Sequence, residues 1–284
     1  MSTESWVVTG PQIIEIDDVA GVRVGLVRGR ADVVAHDGPG VRIEVHAVDG
    51  RPLEVSLADG ELRVGYAFTL RNWEGFLDTV RNVRDRDTAD VHIAVPRQVS
   101  VKLGTMSAEG LLTGVRAGAS VSTVSGSIVT DGTAGLLMVN TVSGDVAIRA
   151  HTGDLRLNSV SGELTASGDL GRVSANTVSA PVTLDLTGVQ GAVNASTVAG
   201  DVTVRLPAER GVTVSARSVS GRVVIDGHEH KGKGQGPGQV SVELQTGDGA
   251  CAITAKTVSG HLTVLRGVAD HASPSDTAGA GGLL

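Results

Sequence analysis

The chain has 284 residues, a net charge of -7, 39 glycines, one cysteine and 2% aromatics. An acidic balance with few stacking rings argues against nucleic acid, and a single thiol excludes an internal disulfide framework. No run approaches the ~18 apolar residues of a membrane helix. The acidic start, Met1 to Ser5, has no apolar stretch behind it. The expectation is a cytoplasmic protein without a transmembrane segment.

Residues 1–10 read as an N-terminal segment. Residues 11–114 read as an irregular β part. Short alternating runs such as Val41-Arg42-Ile43-Glu44-Val45 are divided by turn signals such as Asp49-Gly50 and Asp59-Gly60, the pattern of strands and tight turns. All five aromatics, Trp6, Tyr66, Phe68, Trp73 and Phe76, lie in the first 76 residues. Within the irregular part, Trp73, Phe76, Leu77 and Val80 recur at helical spacing. The spacing predicts one short helical insertion over 72–84 with these residues on one face. Such a face caps the β structure or docks a partner, so the four residues are candidate interaction residues.

Regular repeats predict a solenoid over 115–266. Thr123-Val124-Ser125-Gly126 is the first of seven related tetrapeptides, which begin again at Thr141, Ser159, Thr177, Thr197, Ser218 and Thr257. Their starts step by 18, 18, 18, 20, 21 and 39. A period near 20 with strand-like residues between copies marks stacked coils. The fold class predicted is all-β: a single-stranded β-solenoid with coils of about 18–21 residues. A glycine-rich stretch over 227–238, with His228, Glu229 and His230 at its start, reads as a loop and explains the long step. Residues 267–284 read as a disordered tail.

Each coil carries at least two strands. Val146 and Ile148 face inward, Gly153-Asp154 turns the chain, and Leu155 and Leu157 face inward again. The tetrapeptide makes the other corner. Gly126, Gly144, Gly162, Gly200, Gly221 and Gly260 are expected to serve it by adopting positive φ; Ala180 is the exception. One ambiguity bears on function. Strict alternation from the preceding strand points the repeat valines, Val124 to Val258, outward as an apolar stripe, which would mark an interface. A corner slip one residue earlier points them inward, and burial of an apolar side chain favours this.

Catalytic chemistry has weak support. Asp145, Asp154, Glu163, Asp169, Asp201 and Asp248 sit beside glycines, where Asp favours local turn bonds. A polysaccharide-cleaving pair of carboxylates is the alternative, but the repeats offer no aromatic platform for a sugar. His228 and His230 could share a metal only with a third ligand nearby, and none is evident. Cys251 lies in an apolar run and reads as a buried small hydrophobe. His92, His151 and His261 stand singly in strand patterns, exposed or satisfied. No cofactor is expected.

The segment Thr141-Val142-Ser143-Gly144-Asp145-Val146, with its variants at Ser159 to Leu164, Thr197 to Val202 and Ser218 to Val223, resembles the repeat of the bacterial putative-adhesin, or toastrack, β-solenoids. The strand Asp90 to Pro96 followed by Val99-Ser100-Val101 is similar to the strand that precedes such repeats. The resemblance implies a β-solenoid of unknown biochemical function, in a family without an assigned catalytic residue, some of whose members resemble domains of envelope-stress sensors. The expected role is a non-enzymatic scaffold or protein-interaction module, binding a partner or itself through coil ends or a ladder face. An exported surface adhesin and a polysaccharide-acting enzyme are the alternatives.

Overall fold

A computed structural model describes residues 4–66, 87–188, 190–230 and 240–267. The described residues build a solenoid whose coils each place one strand in each of two ladders. The first ladder starts with β1 (Glu4–Val8), β6 (Leu53–Ala58), β7 (Glu61–Gly65), β3 (Gly21–Leu26) and β9 (Ser100–Thr105). It continues through β11 (Ala119–Thr123), β13 (Leu137–Thr141) and the second halves of β14 (Val146–Ser159) and β15 (Leu164–Thr177). It ends with β17 (Gly191–Thr197), β23 (Cys251–Thr257), β19 (Val212–Ser218) and β22 (Val240–Thr246).

The second ladder lies across the core. It opens with β2 (Gln12–Ile16), β5 (Val41–Asp49), β8 (Thr88–Pro96), β4 (Arg28–His36) and β10 (Glu109–Thr113). It passes through β12 (Ile128–Asp131), the first halves of β14 and β15, and β16 (Val182–Leu186). It closes with β18 (Val202–Pro207), β24 (Leu262–Gly267), β20 (Val223–Ile225) and β21 (His228–Glu229). The solenoid interior is parallel and the two ends carry antiparallel strands.

Alternation makes the coil. Leu103, Val121, Val139, Leu157, Ala175 and Ala195 fall in one inward row, each paired in register with the next, and all are buried. Two successive coils exchange volume between their strands: the large Leu157 shares its coil with Ala166, and the small Ala175 shares its coil with Leu184, all four buried. Ala150 (φ 49) supplies the change of parity within β14: Ile148 and His151 are both buried, and Ala150 is exposed.

The layers do not follow chain order at either end. Coil β23–β24 lies between coil β17–β18 and coil β19–β20. Likewise β3–β4 lies between β7–β8 and β9–β10. The long step of 39 therefore reflects an inserted coil as well as a loop. Part of the predicted loop, His228–Glu229, forms a short antiparallel strand on β20, and residues 231–239 lie outside the described residues. So do the predicted helix with Trp73, Phe76, Leu77 and Val80, and all but the first residue of the predicted tail. Among the described residues no helix is long and apolar enough to cross a membrane.

Candidate interaction surface

The tetrapeptide is the corner between the two ladders. Its first residue points inward: Thr123 is 1% exposed, and Thr141, Ser159, Thr177, Thr197 and Ser218 are buried as well. A buried hydroxyl needs a partner, and the corner supplies it. Thr123 Oγ1 donates to the Gly126 carbonyl at 2.9 Å, and Thr141 Oγ1 to the Gly144 carbonyl at 2.7 Å. Toward the C-terminus the roles exchange. Gly200 and Gly260 donate their N–H to Thr197 and Thr257 Oγ1 at 2.8 and 2.7 Å.

The valines therefore point outward, which corrects the expectation of burial. Val178 is 48% exposed and Val198 49%, with Val160, Val219 and Val258 alike; Val124 and Val142 are half-buried. Packing energy of one methyl pair loses to the hydrogen bond that only an inward hydroxyl can make with the corner backbone. Backbone bonds carry the ladder around the corner, as Ser143 N–H to Val124 O (2.8 Å) and Ser179 N–H to Val160 O (2.8 Å). The valines stack at the inter-strand spacing of about 4.8 Å. Through the inserted coil, Val258 stands between Val198 and Val219.

The corner glycines act differently from expectation. None of Gly126, Gly144, Gly162, Gly200, Gly221 and Gly260 has a positive φ. Their constraint is proximity: a Cβ on Gly144 would stand 2.2 Å from the Gly126 carbonyl oxygen, and one on Gly162 2.1 Å from that of Gly144. Ala180 fits with the longest bond of its kind in the series, Thr177 Oγ1 to Ala180 O at 3.2 Å.

Neutral rows flank the valines. Ser143, Ser161 and Ser179 hydroxyls donate to the carbonyls of Val124, Val142 and Val160 at 3.0, 3.1 and 3.1 Å. On the other side Asn158 Nδ2 donates to Asn140 Oδ1 at 3.0 Å, and Asn176 Nδ2 to Asn158 Oδ1 at 3.2 Å. The serines are satisfied by the valine carbonyls and the asparagines by one another, so the lane is an apolar ridge between neutral rows over these coils.

The acidic residues serve the turns. Asp145 Oδ1 accepts the Glu163 N–H (2.9 Å), Asp154 Oδ1 the Arg172 N–H (3.0 Å), and Asp248 Oδ1 the Ala250 N–H (3.1 Å). They are strung along the solenoid instead of meeting in a groove. His151 is fully buried at a coil corner between Thr133 Oγ1 (2.9 Å) and the Asp154 carbonyl (3.3 Å). Burial lowers its pKa, against opposing backbone hydrogen bonds. His228 and Glu229 are exposed. Among the described residues no group of three His, Cys, Asp or Glu could hold a metal ion. Cys251 is buried, and burial pushes its thiol up. A depression of about 380 Å³ at the N-terminal end includes Glu15, His36 and Arg42; Arg42 is already paired with Glu44 at 2.7 Å.

The family model of Toastrack DUF4097 matches residues 53–265. The chain belongs to this family. Toastrack membership agrees with the two-ladder solenoid and adds no assigned activity. A solved structure described as a putative lipid binding protein from Parabacteroides distasonis ATCC 8503 is similar, with a TM-score of 0.51 at 13% identity, over 90% of this chain and 97% of that one. A putative cell adhesion protein from Clostridium sporogenes ATCC 15579 aligns over 90% of this chain and 100% of its own, at 13% identity. Its TM-score of 0.28 is too low to bear on the fold. No curated protein matches.

The tetrapeptides are legible in the sequence, and the direction of their valines is fixed by the folded corner.

Proposed function

We propose that this Toastrack protein is a non-enzymatic scaffold that presents the valine lane to a protein partner. The observation carrying this reading is the outward, in-register run Val160, Val178, Val198, Val258 and Val219. A repeat that needs only an inward Thr and a close-packed Gly could place any β-former between them, and this chain places Val each time. A contiguous exposed apolar surface is the usual mark of an interaction site. The alternative of a polysaccharide-acting enzyme is disfavoured by carboxylates that are spaced along the coils and bonded to backbone.

Affinity purification from the native cell, with Val160→Asp/Val178→Asp beside the unchanged chain, tests the proposal. Loss of a specific co-purifying protein, with the fold intact by circular dichroism, is expected. Recovery of the same partners by both chains would refute the lane. Cell fractionation in the same experiment separates an internal scaffold from the surface adhesin. The residues Trp73, Phe76, Leu77 and Val80 are proposed as a second contact, and Trp73→Ala/Phe76→Ala should weaken the same capture.

A further inference from the structure

We propose that Arg210 binds a small oxyanion, a carboxylate or a phosphate, where two connections cross at the C-terminal end of the solenoid. The crossing follows from the interleaved coils. The chain leaves β18 at Pro207 and climbs past one layer to begin β19 at Val212, while the turn after β22 descends to begin β23 at Cys251. The two connections touch. A Cβ on Gly211 would stand 2.3 Å from Asp248 Oδ1, and one on Gly247 would stand 2.9 Å from the Gly211 Cα. Only glycine at both places lets the segments pass.

Arg210 directly precedes Gly211 at this crossing and is 7% exposed. Both of its terminal nitrogens, Nη1 and Nη2, are buried without a hydrogen-bond acceptor. The neighbouring carboxylate does not supply one: Asp248 Oδ1 accepts the Ala250 N–H. Glu209, the adjacent residue, is exposed. A guanidinium stays protonated in any protein environment, so it cannot escape its burial by losing a proton as lysine can. An unpaired buried cation is among the costliest groups in a fold. Its planar pair of donors suits the two oxygens of a carboxylate or phosphate. Gly247 and Asp248, in the turn that packs on the neighbouring Gly211, are exposed.

The test uses the full chain dialysed into chloride buffer. Melting is followed while inorganic phosphate or acetate is added at constant ionic strength, beside Arg210→Met. A saturable rise of about 3 °C in the unchanged chain at roughly tenfold excess over the Kd is expected. No rise is expected in Arg210→Met. In buffer lacking oxyanions, Arg210→Met should melt higher than the unchanged chain, because it removes a buried charge. The more effective of the two additives identifies the preferred class. An equal response of both proteins, or no response of the unchanged chain, overturns the proposal. If Arg210→Met does not fold, calorimetric titration of the unchanged chain with phosphate and acetate decides, and absence of binding to both overturns the site.

Discussion

Asp201 Oδ1 accepts the backbone N–H of His261 at 2.8 Å, although the two residues lie 60 positions apart in the chain. His261 Nδ1 in turn accepts the Arg222 N–H at 3.0 Å. At the far end of the same layer, Asp226 Oδ1 accepts the Arg266 N–H at 3.1 Å, and Arg266 Nε donates to Asp226 Oδ2 at 2.8 Å. These side chains fasten the inserted coil to the layers on both sides. Asp201→Ala should therefore destabilise by about 1 kcal/mol, read as a lower denaturation midpoint. An unchanged midpoint would show that strand pairing alone seats the coil.

Replacing Gly144 by Val should be costly for a steric reason. The added Cβ would collide with the Gly126 carbonyl and approach Thr123 Cγ2. A loss of about 2–4 kcal/mol is expected. Gly144→Ala should lose stability too, since the first carbon already makes the clash. A thermal melt equal to that of the unchanged chain for the alanine variant would contradict the close-packed corner.

Exchange of roles within one corner separates the inward from the outward residue. Thr177→Val removes the donor to Ala180 O and should cost about 1 kcal/mol. Val178→Thr, on the exposed side, should stay within about 0.5 kcal/mol of the unchanged chain. Urea titration of both variants measures the difference, and the opposite ranking would place the valines inside.

Stability should fall on mild acidification because of His151. Its folded-state pKa lies below the usual 6.5, chiefly through burial, so the unfolded chain takes up the proton more readily. Stability is full above about 6.5 and declines as the pH drops through that value. The decline levels off once the folded protein also protonates. The carboxylates of Asp226 and Glu61, held low by Arg266 and Arg63 respectively, lose their contribution at more acidic pH. Unfolding free energies measured from pH 7.5 to 5.5 should show the slope, and His151→Asn should flatten it. An equal slope in both proteins would assign the effect elsewhere.

The architecture was legible in the sequence because a solenoid repeats its local physics. Thr141-Val142-Ser143-Gly144 announces a corner by composition and Val146 and Ile148 announce a strand by alternation. The valine direction was not legible, because a shift of one residue at the corner reverses every side chain that follows. The hydrogen bond from Thr to the glycine carbonyl decides it, and that bond needs the folded corner. The corner glycines were identified for the wrong reason: proximity of the next coil, as at Gly162, leaves the same mark in a sequence as positive φ. The place of the last coil was hidden as well. A strand such as Cys251–Thr257 presents the same pattern whichever parallel neighbours it joins.

The interleaved ends limit how such a protein can change length in evolution. A coil duplicated between Thr123 and Gly200 meets a parallel neighbour above and below and leaves both woven ends intact. A coil appended after Gly267 finds its neighbouring layers already occupied, because β24 is enclosed by β18 and β20. Growth of this solenoid, and of the valine lane with it, is open only from the middle.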